Sequence, residues 1–152
     1  MNLLVTLLLA QAGVIVYLLA TRKQKNAQKH AVSASAHDNR PVKGVLLVRS
    51  DLKMGKGKIV AQAMHAAYEA ARKPNTVSEQ WKSNGFKKVS LSVPSKEELD
   101  VIIEKARKCK VPTISITDAG RTQVEPNTHT VSFLGPWYED EIDSITGNLK
   151  LL

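Results

Sequence analysis

The chain is short of several things, and each shortage excludes something. Its 152 residues include one cysteine, Cys109, so an intramolecular disulfide and a cysteine-rich zinc site are both ruled out. No internal repeat is present, which excludes a solenoid or propeller. No GxxxxGK[ST] run occurs, so there is no nucleotide-binding P-loop. No Ser/His/Asp order, carboxylate pair or metal-ligand spacing stands out. Acidic residues are also scarce beside basic ones, 14 against 22, and the net charge of +8 points to a polyanionic partner, nucleic acid or an anionic membrane. With 43% hydrophobic and 24% charged residues, a wholly disordered chain is excluded. The length suits about one domain.

Half of the positive excess lies in residues 1–42, just after an uncharged apolar run, Leu3–Ala20. Eighteen helical residues span about 27 Å at about 1.5 Å each, just enough for a hydrocarbon core of about 30 Å. A cleaved signal peptide would want positive charge before the run, and only the amino terminus supplies any. A buried core helix would show a polar face, and this run barely has one. The run is therefore expected to be a transmembrane signal anchor. Arg22, Lys23, Lys25 and Lys29 follow it and, by the positive-inside rule, leave the rest of the chain facing the cytosol. The moderate hydrophobicity and flanking lysines favour the mitochondrial outer membrane over the endoplasmic reticulum. Residues 21–42 are polar and rich in Ala and Ser, and read as a flexible basic linker in which His30 and His37 are solvated.

From Lys43 onward, 110 residues are enough for one modest core. Gly44–Arg49 is an apolar run without alternation, as expected of a strand buried on both faces. Ser50–Lys58 reads as a Gly/Lys loop and Ile59–Arg72 as a helix with an alanine-rich stripe. A short helix over Val77–Ser83 carries Trp81 as a core anchor. Lys88–Val93 alternates as a strand. Ser95 and Glu98 form a capping box for a helix whose stripe is Leu99, Ile102, Ile103 and Ala106, with Cys109 near its end as a small packing residue. Thr113–Thr117 and Thr130–Leu134 read as strands, the second broken by Gly135-Pro136. Tyr138–Ile145 reads as an acidic helix ended by Gly147. The alternation gives an α/β class with a four-stranded, mostly covered sheet.

Two loops at strand ends are candidates for chemistry. One carries Lys53, Lys56 and Lys58 and is either an anion site at a helix N-terminus or a solvated turn. The other, Asp118–Thr128, supplies Asp118, Gly120, Arg121, Thr122 and Gln123. Asp118 is either a turn-capping residue or one that orients a water. His65, in the first helix, is either a half-buried packing residue or one that reaches both loops.

Three segments together carry a resemblance: VLLVRSDLKMGKGKIVAQAMHAA (45–67), VPTISITDAGRTQVEPNTHTVSFLGP (111–136) and IDSITGNLKLL (142–152). They resemble the archaeal/eukaryotic-type (type II) peptidyl-tRNA hydrolases, over about residues 43–152. The resemblance implies a three-layer α/β/α fold around a four-stranded mixed sheet, here preceded by one N-terminal transmembrane helix, and a homodimer. It implies hydrolysis of the ester joining a peptide to the 3′ ribose of tRNA, with no metal or organic cofactor. Eukaryotic relatives include membrane-anchored mitochondrial forms, some linked to cell-death signalling, which implies protein partners. The family's active-site pattern falls on Lys56, Asp118, Thr122 and Thr130, with His65 beside them as catalytic and Gln62 as substrate-binding. Lys53, Lys58 and Arg121 are expected to hold phosphates. The family usually has Gly after the proline of the second loop; here Asn127 stands there, a residue that tolerates the left-handed region.

Overall fold

A computed structural model describes residues 39–152, of which Arg40–Leu152 form one compact unit. The expected span Leu3–Ala20 and nearly all of the expected linker lie outside the described residues. Among the described residues, no helix is long and apolar enough to cross a membrane.

Among the described residues, four strands and four helices follow in the order β1 (Val42–Arg49), α1 (Lys56–Arg72), α2 (Ser78–Ser83), β2 (Lys88–Val93), α3 (Lys96–Lys108), β3 (Thr113–Asp118), β4 (Thr128–Tyr138) and α4 (Glu139–Thr146). The sheet order is β2-β1-β4-β3. β1 and β2 are parallel, and β4 is antiparallel to both of its neighbours. This is the expected α/β class with a four-stranded mixed sheet.

β1 is covered on both faces, as its unbroken apolar run requires. Val45 and Leu47 point into a core shared with α3 and α4, and Leu46 and Val48 into one beneath α1 and α2. Burying each such side chain contributes about 1.5–3 kcal/mol. Trp81 anchors the second core, its indole N–H donating to the Lys87 carbonyl at 2.7 Å. A Cβ on Gly44 would stand 2.2 Å from Phe133 Cζ, so the ring packs where only glycine leaves room.

Three local expectations change. α1 begins at Lys56, so Lys56 and Lys58 are helical rather than looped. Its N-cap, Gly55, has no side chain to offer; instead Gln123 of the second loop accepts from Gly55 N–H at 2.8 Å. β4 runs on through Gly135-Pro136, where the pairing with β1 is irregular, and a proline without an N–H is tolerated at such a place. Cys109 is exposed rather than packed, because α3 ends at Lys108 and the chain turns away there. α3 does open as expected, with Ser95 Oγ accepting from Glu98 N–H at 3.2 Å.

β1 and β3 run in the same direction, since both oppose β4. The loops that follow them therefore meet at one end of the sheet, and the Gly55–Gln123 bond ties them together. The sheet's two outer edges are treated differently. Along β2, Ser92 N–H donates to the Lys150 carbonyl at 2.9 Å and Leu152 N–H to the Ser90 carbonyl at 3.1 Å, so the last residues cover that edge. Nothing among the described residues pairs with the outer edge of β3.

Candidate active site

A cleft of about 470 Å³ opens where the two loops meet. One wall is α1, which presents Lys58, Gln62, His65 and Glu69. Their spacing of four, three and four places them on one helical stripe. The other wall is the end of β3 from Ser115 to Asp118, continued by Ala119, Arg121 and Thr122.

A chain of hydrogen bonds runs from the sheet to the cleft. In the β3–β4 ladder Ile116 faces Val131 and Thr117 faces His129, so Thr130 is an extra residue in β4. Such a bulge re-aims a side chain, and here Thr130 Oγ–H donates to Gln62 Oε1 at 2.6 Å. Gln62 Nε2 donates in turn to Asp118 Oδ2 at 2.8 Å. The Gly120 N–H holds the other carboxylate oxygen, Oδ1, at 2.8 Å. Lys58 Nζ is ion-paired with Asp118 Oδ2 and also donates to Thr122 Oγ1 at 3.0 Å. Gly120 is required at its place: with φ +75° and Pro126 N only 2.4 Å from where a Cβ would sit, the turn admits no side chain. Asn127 sits in the left-handed region at φ 62° and its N–H donates to the Asp118 carbonyl at 2.8 Å.

The hydrogen bond from Lys58 holds the Asp118 carboxyl below the usual carboxylate range, helped by the Gly120 N–H and opposed by burial. Asp118 is therefore charged at neutral pH. Its Oδ2 is saturated by Lys58 and Gln62, while Oδ1 keeps a lone pair. Lys58, a three-donor ammonium with two donors engaged, keeps one N–H. Thr122 accepts from Lys58, which leaves its own O–H to donate. The arrangement thus offers one acceptor for a water and two donors for a developing oxyanion.

The geometry places the expected residues unequally about the cleft. Lys56 and Lys58 lie two residues apart and so point to different sides of α1. Lys58, expected to hold a phosphate, sits against Asp118 and Thr122; Lys56, expected at the catalytic centre, is exposed and does not line the cleft. Thr130 is fully buried (0% exposed) and gives its proton to Gln62, so its hydroxyl does not open on the cleft. Gln62 (3% exposed) is likewise committed to Asp118 and Thr130 instead of reaching outward. His65 is exposed on the cleft wall rather than half-buried. Arg121 lies at the cleft and Lys53 is exposed outside its lining. One lining residue was not expected: Glu69 completes the polar stripe, and the four-three-four spacing from Lys58 could have revealed it. Gln123, expected as a donor of the second loop, accepts from Gly55 N–H and caps α1 instead, a role with no local signal. Among the described residues no group of three or more acidic, histidine or cysteine side chains is placed to hold a metal.

The model of the family "Peptidyl-tRNA hydrolase PTH2" matches residues 42–152. The chain belongs to the PTH2 peptidyl-tRNA hydrolase family. A Peptidyl-tRNA hydrolase of Methanocaldococcus jannaschii is 47% identical to this PTH2 chain over 115 residues, covering 73% of the chain and 100% of the relative. One of Metallosphaera sedula is 46% identical over 117 residues, with 73% and 100% covered. The human "Peptidyl-tRNA hydrolase 2, mitochondrial" is 39% identical over 137 residues, covering 85% of the PTH2 chain and 76% of the relative.

Proposed function

We propose that the protein hydrolyses the ester between a peptide and the 3′ ribose of tRNA, returning free tRNA and peptide from aborted translation. The observation that carries this is the Lys58–Asp118–Thr122 cluster, open to a cleft in a chain of the PTH2 family. An ester is more reactive than an amide, so a covalent nucleophile is not needed. Asp118 Oδ1 holds the attacking water. The free N–H of Lys58 and the O–H of Thr122 stabilise the oxyanion formed as water adds to the carbonyl. Collapse of that intermediate expels the ribose 3′ oxygen, which takes up the proton that the attacking water gives up and so leaves as a hydroxyl. One well-placed oxyanion donor contributes roughly 3–4 kcal/mol. Because a carboxylate paired with a lysine is a weak base, Asp118 acts mainly by holding water and Lys58. Arg121 at the cleft, with Lys53 and Lys56 on the exposed surface nearby in sequence, positions the RNA end through its phosphates without reading its bases.

The test uses the full-length protein with an N-acetylated aminoacyl-tRNA, a free aminoacyl-tRNA and ATP in parallel. Release of tRNA from the first alone is expected, and Asp118→Asn abolishes it without unfolding the domain. ATP turnover would favour a nucleotide enzyme. Binding without turnover would favour an RNA- or protein-binding adaptor.

The same reading extends to location. The human relative is named mitochondrial, and its alignment reaches past the family domain towards the amino terminus. Leu3–Ala20 then serves as a signal anchor, residues 21–42 as a linker and the catalytic domain faces the cytosol. A fusion of residues 1–42 to a fluorescent protein should mark the mitochondrial outer membrane; an endoplasmic reticulum pattern would reject it. A homodimer and partners in cell-death signalling rest on the family resemblance, and sedimentation of the purified chain checks the first.

A further inference from the structure

The outer edge of β3 leads directly to the Asp118–Lys58 pair, and no described residue covers it. We propose that this edge binds the peptide part of the substrate as an added, fifth strand. The proposal rests on the hydrolase reading above and assigns the substrate's peptide a place on the molecule.

Three observations carry it. First, the sheet is asymmetric: its β2 edge is covered by Lys150–Leu152, and its β3 edge is not covered by any described residue. An exposed edge is a template for strand addition, which folded proteins usually blunt. Second, the open edge is part of the cleft, since Ser115 to Asp118 form the wall facing Lys58, Gln62, His65 and Glu69. Third, the free backbone groups point the right way. Gly135 N–H donates to the Pro112 carbonyl at 2.7 Å, and Asn127 N–H to the Asp118 carbonyl at 2.8 Å. In an antiparallel pair, residues bond inward at every second position. The even-numbered residues of β3 thus bond to β4, and the N–H and C=O of Thr113, Ser115 and Thr117 face outward. Ser115 and Thr117 are exposed.

The ester must lie at Asp118, the C-terminal end of β3. The peptide therefore runs parallel to β3, its C-terminal ester at Asp118 and its earlier residues towards Thr113. Thr113 to Thr117 span about 13 Å at about 3.3 Å per residue, room for three or four substrate residues. The chemistry suits the task. A peptide released from any point in any message has no fixed side chains, but it always has a backbone. Strand addition reads the backbone, and side-chain pockets would add selectivity that such an enzyme does not need. In a parallel pair only every second substrate residue turns its N–H and C=O to β3, so recognition has a period of two.

The test uses full-length protein and synthetic peptidyl-tRNAs. A series from N-acetyl-aminoacyl to N-acetyl-tetrapeptidyl esters should gain about tenfold in kcat/KM with length, on the order of one or two net hydrogen bonds, and then level off. In the tetrapeptidyl substrate, N-methylation of one alternate set of amides should remove most of that gain, and methylation of the other set should leave it. Changing side chains at the same positions should alter kcat/KM less than about threefold. Ser115→Pro removes an outward N–H and no ladder bond. It should bring the tetrapeptidyl substrate down towards the N-acetyl-aminoacyl one, with circular dichroism checking the fold. Equal rates across lengths, or equal effects of both methylation sets, would overturn the added strand and leave the hydrolase reading standing. Absence of hydrolysis from every substrate would overturn both.

Discussion

Thr130 offers the sharpest way to separate a residue that touches substrate from one that acts through a neighbour. Its hydroxyl is completely buried and donates to Gln62 Oε1 at 2.6 Å, and Gln62 passes the constraint to Asp118 at 2.8 Å. Thr130→Val keeps the shape and removes the donor. Gln62 Oε1 is then buried without a partner, which costs about 1–3 kcal/mol. For a domain of this size each kcal/mol lowers Tm by roughly 4–8 °C. The amide also loses what fixes its orientation, so Asp118 loses a donor in some molecules and kcat should fall about tenfold, equivalent to about 1.4 kcal/mol. A direct oxyanion donor would cost about 10²–10³. The assay is hydrolysis of an N-acetylated aminoacyl-tRNA by wild type, Thr130→Val, Gln62→Met and the double variant. If Thr130 works only through Gln62, its replacement adds less than about twofold in the Gln62→Met background, because coupled sites are not additive. Thr130→Ser should restore activity. A full-sized loss in the Gln62→Met background would show that Thr130 meets the substrate itself and would refute the relay.

Other outcomes follow from the same geometry. Lys58→Ala should lower kcat about 10²–10³-fold, as removal of an oxyanion donor does, whereas Lys56→Ala should raise KM and flatten its salt dependence, reducing the slope by about 0.7–0.9 for each phosphate no longer neutralised; equal effects of the two would reject the separation of their roles. The Asp118 pKa is depressed, so its pairing with Lys58 stabilises the fold above the unfolded value near 3.8 and is lost only as pH falls through the lower folded value. Titrated from pH 7 to 5, stability and kcat/KM should therefore show no Asp118 transition, and an acid limb of the stability curve in that range that vanishes in Asp118→Asn would contradict the assignment. Gly44→Ala drives a methyl into Phe133 and should cost about 1–3 kcal/mol as overpacking, with Phe133→Leu restoring part of it in urea melts.

Much of the fold was legible because its signals are local. The apolar run of β1, the alternation of β2, the Ser95 cap and the apolar stripe of α3 each declare an element within a few residues. The extension of β4 through Gly135-Pro136 was not legible, since only the pairing with β1 shows that the irregularity falls where no N–H is needed. The residues of the candidate site could be named from the sequence more readily than their arrangement. Lys58, Gln62, His65, Asp118, Arg121 and Thr122 do meet in one cleft. Which lysine faces Asp118 depends on whether α1 starts at Lys56 or Ile59, and its cap comes from Gln123, which no reading of residues 50–60 reveals. Thr130 faces α1 only because β4 carries a bulge, a fact of strand pairing rather than of sequence pattern.

The bond from Gly55 N–H to Gln123 Oε1 joins positions 68 residues apart. It makes the first turn of α1 and the 119–126 loop a single opening unit. Fraying of the helix releases the loop, and loss of the loop uncaps the helix, so Lys58 and Thr122 come apart or together in one event. In hydrogen exchange the two segments should share one opening free energy, below that of the strands. Substrate that bridges them would then raise protection in both at once, although it touches each with only a few atoms.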